Sequence, residues 1–372
     1  MKLLIASDTA LPRRDGVSRY LSEIIPRLKD YYEITIVWPD YGEHILTGVK
    51  TVRIPLADKN WGELTPARFD YKTIYNEVKK ADVVFSQALG PVGMCTYRAA
   101  RKLKKKIVGY IHLIEWDFWV KYRGTKFMKG FMKGMIKLGT RHIYNRYDLL
   151  LAPSVGTADL LQHNHINTPK RIVHLGVDAN KFKPGSNNEL KAKLGFKKND
   201  IIIGYHGRLS REKDLTTLLR AFTRLRSKNK NVGLLIVGDG LKELEKMFSN
   251  QTKVVHVPAQ KNVQQYLHIM DIYCLPSLTE TTSLSTLEAM LCGLPVVVTE
   301  TGLVRDYVVD NYNGMFIPMQ KPVALFKKLE YLTENPEVRK KLGTNARNDI
   351  KEQFDWDLTA YNINQAIEEV ME

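Results

Sequence analysis

Cysteine is scarce in this chain. There are three in 372 residues, Cys95, Cys274 and Cys292. An odd number at wide spacing builds neither a disulfide framework nor a zinc cluster. The apolar runs around Cys274 and Cys292 assign those two to a core. Long hydrophobic runs are missing as well. The opening MKLLIASDTALPRRDG holds only LLIA before Ser7 and Asp8, too short for a secretory h-region. No stretch approaches the ~18 apolar residues of a spanning helix. The expectation is a cytoplasmic protein with reduced thiols. Low-complexity tracts and internal repeats at a fixed short period are absent too.

Acid is short relative to base. The chain has 56 Lys+Arg against 40 Asp+Glu, a net charge of +16. The excess is uneven: residues 1–184 hold 31 basic and 17 acidic residues, the remainder 25 and 23. A basic half beside a nearly neutral one suggests that one half faces a polyanion, either nucleic acid or an anionic membrane.

What is present is an alternation of short β-rich runs and amphipathic segments. Strands are predicted at 2–6, 33–38, 82–86, 106–111, 148–152 and 171–175, then at 201–206, 232–237, 253–257, 271–276, 295–299 and 314–318. Many are unbroken Val/Ile/Leu runs such as VGLLIV, the pattern of strands buried on both faces of a parallel sheet. Segments such as SRYLSEIIPRLK (18–29) supply the crossovers. The two series meet around DANKFKPGSNN (178–188), a linker composition. The fold class is therefore α/β, with two Rossmann-like, doubly wound parallel-sheet domains. The boundaries read as 1–180 and 189–355, and a helix at 358–372 is able to pack back on the first domain.

In such sheets ligands bind beyond the carboxyl ends of the strands. Four chemically loaded segments fall there. LPRRDGVSRY (11–20) sets Gly16 before a helix, where a phosphate can approach backbone N–H groups; a plain turn glycine fits equally. YIHLIEWDFW (110–119) sets His112 at a strand end, as a sugar contact or as a core histidine. HGRLSREKDL (206–215) places Arg208 and Lys213 around a turn into a helix, which suits a diphosphate, or else two solvated cations. TETTSLSTLEAM (279–290) holds Glu280, Thr281, Thr282, Ser283, Ser285, Thr286 and Glu288. On one helix the two carboxylates would lie ~12 Å apart along the axis. If a loop carries Glu280 and a helix begins near Ser283, the hydroxyl residues form its first turn, whose N–H groups can receive an anion. Glu280 would then face a sugar and Glu288 a ribose diol. An N-capped helix with two surface glutamates is the alternative.

Together these segments resemble the family 4 retaining glycosyltransferases, which have the GT-B fold of two Rossmann-like domains facing across a cleft. The matching residues are Gly16 in PRRDGVSRY, His112 in YIHLIE, HLGVDANKFKP (174–184), HGRLSREKDLTTLLRAF (206–222), VGDG (237–240) and PSLTETTSLSTLEAMLCGLPVVVT (276–299). The resemblance implies that Arg208 and Lys213 bind the donor diphosphate, with a backbone contact from Gly16. It implies that Glu280 and His112 meet the transferred sugar, that Glu288 binds the ribose, and that the turn Thr282, Ser283, Leu284 and Ser285 holds phosphate or sugar hydroxyls. The common family pattern after the first glutamate is Gly-Phe-Gly; here Thr281-Thr282-Ser283 stands in its place. No cofactor is implied beyond a nucleoside-diphosphate sugar as co-substrate, and UDP-glucose or another UDP-sugar is favoured over GDP-mannose. No metal is expected, since Asp355-Trp356-Asp357 lies beside the last helix and reads as a cap. A double displacement needs carboxyls ~5 Å apart, and no such pair is evident. The resemblance implies front-face attack with retention, the departing phosphate taking the acceptor's proton.

The basic half suggests the acceptor. Residues 115–148 carry Trp116, Phe118, Trp119 and Tyr122, then Lys129, Lys133, Lys137 and Arg141 every four residues, flanked by Phe131, Met132, Met135 and Leu138. A basic face beside an apolar one suits an interfacial helix at 126–141 on anionic lipid. The expectation is a peripheral protein on the inner face of the plasma membrane with a lipid acceptor, as in glycolipid biosynthesis. A helix packing its apolar face on the sheet, with a soluble sugar or polysaccharide acceptor, is the rival. A sugar-nucleotide epimerase and a basic nucleic-acid-binding protein are rivals of other classes, though no stacking platform or reading helix supports nucleic acid.

Overall fold

The computed structural model describes all residues except Arg14, 59–64, 119–125, Asn250 and Thr281, and gives the backbone alone for 117, 118 and 126–129. It divides into two compact units, Met1–Gly176 with Trp356–Glu372, and Val177–Asp355.

The first unit is built on a seven-stranded sheet of β1 (Lys2–Ala6), β2 (Glu33–Pro39), β3 (Lys50–Ile54), β4 (Val83–Ser86), β5 (Lys106–Tyr110), β6 (Leu149–Ala152) and β7 (Lys170–Ile172). The order is β3-β2-β1-β4-β5-β6-β7, and all pairings are parallel. Leu4, Ile5, Val83, Val84 and Phe85 are wholly enclosed, because helices cover both faces. Each such side chain stabilises the fold by about 2 kcal/mol. β3 has no counterpart among the predicted strands. Among the described residues KTVRI is an edge strand paired with β2 alone, so it carries Lys50 and Arg53 and lacks the unbroken apolar run.

The second unit has β8 (Ile201–His206), β9 (Val232–Val237), β10 (Val254–Val257), β11 (Ile272–Leu275), β12 (Val296–Thr299) and β13 (Gly314–Ile317). These are ordered β10-β9-β8-β11-β12-β13 and are again all parallel. Strand order reverses between β1 and β4 in one sheet and between β8 and β11 in the other. The crevice beyond the carboxyl ends at such a point is where open α/β sheets take ligands. Cys95, Cys274 and Cys292 are free and buried.

The helix Trp356–Met371 belongs to the first unit. Trp356 is buried, with the Tyr20 ring edge-on to it. Asp357 accepts from Arg27 Nε at 2.6 Å, and Asn364 accepts from Tyr32 Oη at 2.6 Å. Asp357 thus sits in an ion pair with Arg27. Among the described residues no helix is long and apolar enough to cross a membrane.

Candidate active site

The loop after β8 is the first component. Its backbone is fixed by close packing against the loop after β9. A Cβ on Gly238 would meet the Gly207 carbonyl at 1.9 Å, and one on Gly240 would meet the Leu209 carbonyl at 2.0 Å. Only glycine allows this approach. It lets Gly207 N donate to Val237 O and Leu209 N to Asp239 O. Arg208 is held between these anchors, its carbonyl accepting from Tyr205 Oη at 2.7 Å. Its guanidinium reaches into solvent and donates to Glu212 at 3.0 Å. A short 3₁₀ turn, Arg211–Lys213, then presents Lys213. Asp214 closes that turn in the left-handed region at φ 45° and accepts from Thr217 Oγ1.

The loop after β11 is the second component. Glu280 Oε1 accepts from Lys213 Nζ at 2.6 Å and from Ser277 Oγ at 2.5 Å. The carboxylate is pinned across the strand-order reversal. Ser283 follows at φ 54° and starts the helix Leu284–Leu291, close to the start the spacing predicts. Among the described residues no side chain caps this helix. Ser283 Oγ turns instead to Thr286 Oγ1 at 2.8 Å, and Thr282 O accepts from Tyr307 Oη. The first-turn amides and the positive end of the helix dipole suit an oxyanion. Arg208, Lys213, Glu280 and the turn Thr282–Ser285 therefore stand on the two loops that flank one switch point; Thr281 lies outside the described residues.

Glu288 is fully buried. It is turned under the first helical turn, with Oε2 at 3.3 Å from His206 Nε2. The same nitrogen lies 3.1 Å from the Ser285 carbonyl. The carboxylate expected to meet a ribose is thus enclosed beside His206 in this structure. His206 and Ser277 were missed by sequence reasoning. The signal for His206 was its place at the strand end, two residues before Arg208.

In the first unit, Gly16 opens the helix Gly16–Leu28 after the N-cap Asp15, whose carboxylate accepts from Ser18 N. Among the described residues, a Cβ on Gly16 would meet nothing within 4 Å. His112 lies just beyond β5, packed against Tyr20 and Tyr110. Burial pushes its pKa down to about 3, so the ring is neutral. Its Nε2 lies 2.9 Å from Oε1 of Gln87, another residue that sequence reasoning missed. Deeper in, Glu115 accepts a short hydrogen bond from Tyr144 Oη, and burial raises its pKa to about 7.

The basic helix spans Lys126–Tyr144. Trp116, expected at a membrane or acceptor, is 3% exposed and joins the core with Tyr144. A ring enclosed in this way offers no surface to lipid, and that expectation is corrected. Trp119 and the side chain of Lys129 lie outside what is described. Phe131, Met135 and Leu138 do not pack on the sheet: they are 67%, 56% and 66% exposed. At 100° per residue they form one outward stripe, with Thr140 and Tyr144 on the inward side. By the same turn Lys133 and Lys137 lie more than ~120° around the helix from the centre of this stripe, and Arg141 about a quarter-turn from it.

Two family models match. One, described as Glycosyltransferase Family 4, covers residues 14–181. The other, Glycosyl transferases group 1, covers residues 186–349. An uncharacterized glycosyltransferase, MJ1069 of Methanocaldococcus jannaschii, is 26% identical over 96% of this chain and 95% of its own. Alpha-monoglucosyldiacylglycerol synthase of Streptococcus pneumoniae is 23% identical over 84% of this chain and 74% of its own. Anabaena HepE, solved in complex with UDP-glucose, superposes with a TM-score of 0.78 at 17% identity, over 99% of this chain and 100% of that one. These matches set aside the epimerase and nucleic-acid readings. The chain belongs to the family 4 glycosyltransferases and has their GT-B fold.

Proposed function

We propose that this protein transfers a hexosyl unit from a nucleoside-diphosphate sugar, with a UDP-sugar favoured, to a hydroxyl of a membrane lipid. Transfer proceeds with retention and without a metal. The observation that carries the donor half is the placement of Lys213, Glu280 and the uncapped helix start at Leu284 around one switch point. As the sugar leaves, charge grows on the diphosphate. Arg208, Lys213 and the helix amides stabilise it, and preorganised groups of this kind supply the largest share of such catalysis. Donor binding draws Lys213 from Glu280 onto phosphate and leaves Glu280, still held by Ser277, to a sugar hydroxyl. Gly16 leaves room at its helix start, and neutral His112 accepts from the sugar. Glu288 takes the ribose once binding opens its enclosure. HepE's complex with UDP-glucose supports the choice of donor.

The lipid half rests on the outward stripe of Phe131, Met135 and Leu138, on a helix that also carries Lys133, Lys137 and Arg141. Exposed apolar side chains on a helix rich in cations suit an anionic bilayer surface. The pneumococcal relative named for monoglucosyldiacylglycerol supports a lipid acceptor. The test is incubation with a panel of nucleotide sugars and a total lipid extract, followed by mass spectrometry. A hexosylated lipid made from one donor is expected. Products only on added soluble sugars would refute the lipid acceptor, and no product from any donor would refute transfer.

A further inference from the structure

Gln87 directly follows β4, and its side chain is buried. Its Oε1 lies 2.9 Å from His112 Nε2. In the amide orientation that turns Oε1 to the ring, the oxygen only accepts, so Nε2 of the imidazole carries the hydrogen; the flipped amide would reverse the roles. A neutral ring holds one hydrogen, and Nδ1 is then left with a bare lone pair. Tyr20 and Tyr110, with ring centroids 4.7 and 4.6 Å away, keep the ring from turning over. The other end of the amide, Gln87 Nε2, is buried with no hydrogen-bond partner among the described residues.

We propose that Gln87 is a positioning residue that holds His112 in the Nε2–H tautomer and makes Nδ1 a fixed acceptor for a hydroxyl of the transferred sugar. The assignment rests on the reading that His112 meets that sugar. It gives His112 a single role: the ring accepts a hydrogen bond and supplies no proton to the leaving group. Gln87 reaches the reaction only through this ring.

Long-range ¹H–¹⁵N spectra of the full-length protein labelled in histidine read the tautomer directly, the His112 signals being those lost in His112→Asn. At pH 7.5 the wild type is expected to show hydrogen on Nε2 and none on Nδ1. Gln87→Leu should mix the two tautomers and lower kcat about tenfold, with the KM for donor changed less than about twofold. Gln87→Glu keeps an accepting oxygen, retains the Nε2–H signal, raises the ring's pKa, and serves if Gln87→Leu does not fold. A wild-type ring with hydrogen on Nδ1 overturns the proposal, as does a Gln87→Leu variant with unchanged tautomer and kcat. If the spectra are as expected but His112→Asn turns over at the wild-type rate, the sugar contact itself is wrong, and the tautomer has no part in transfer.

Discussion

Lys213 Nζ lies 2.6 Å from Glu280 Oε1, with the two side chains only 18% and 6% exposed. The pair ties the loop after β8 to the loop after β11. Removing one partner strands a buried charge, which costs several kcal/mol, whereas replacing both by neutral residues is often harmless. Lys213→Ala is therefore expected to abolish transfer and to lower stability by about 3 kcal/mol. Lys213→Met combined with Glu280→Gln should recover most of that stability and none of the activity. Thermal melts beside a turnover assay check this; identical melting of the single and double variants would show that the carboxylate left unpaired carries no such cost.

Ser283 occupies the left-handed region at φ 54°, which costs a residue with a Cβ roughly 1 kcal/mol and a β-branched one more. Ser283→Gly should remain active and match or exceed the wild-type stability, although it loses the bond to Thr286. Ser283→Val should be less stable than Ser283→Gly by about 2 kcal/mol. Urea unfolding of the two variants gives the difference, and a value near zero would mean that the turn is unstrained.

Burial raises the pKa of Glu115 to about 7 and of Asp8 to about 6. A carboxyl whose folded pKa is raised binds more protons in the folded state. Its stabilisation is full below the unfolded pKa near 4 and is lost as pH rises through the folded value. For Glu115 that loss is on the order of 3 kcal/mol between about pH 4.5 and 7. His112, depressed to about 3, acts in the opposite sense between about pH 3 and 6.5. The difference between wild type and Glu115→Gln isolates the carboxyl. The variant should melt at or below the wild type at pH 5 and above it at pH 8. Parallel melting curves from pH 5 to 8 would contradict the assignment.

The helix Lys126–Tyr144 makes a separable prediction. Replacing Phe131, Met135 and Leu138 by Ser should weaken binding to neutral and anionic vesicles alike. Replacing Lys133 and Lys137 by Ser should weaken only anionic binding, by about tenfold at low salt, and the effect should fade as salt rises. Vesicle sedimentation measures both. Unchanged binding in the apolar triple variant would remove this helix from the membrane account.

The fold was legible wherever both faces of a strand are buried, since IIIGYH and VGLLIV then read as unbroken apolar runs. KTVRI was not, because an edge strand tolerates Lys50 and Arg53. The segments bearing Arg208 and Glu280 could be found because each begins where an apolar strand stops. The partners that fix the candidate side chains could not. Gln87 meets His112 across 25 residues and His206 meets Glu288 across 82, and no local pattern marks either encounter. Trp116 misled for the same reason. Lysines and aromatics in one stretch suggest an interface, and only the return of Tyr144 shows the indole enclosed.

The most direct measurement is calorimetric titration of UDP, UMP and uridine into the wild type, Arg208→Ala and Lys213→Ala. If these cations and the Leu284 helix start hold the departing diphosphate, UDP should bind about 100-fold more tightly than uridine. Each substitution should take away about tenfold of that preference while leaving uridine affinity unchanged. Equal affinities for UDP and uridine, or a preference for UDP untouched by either substitution, would contradict the account.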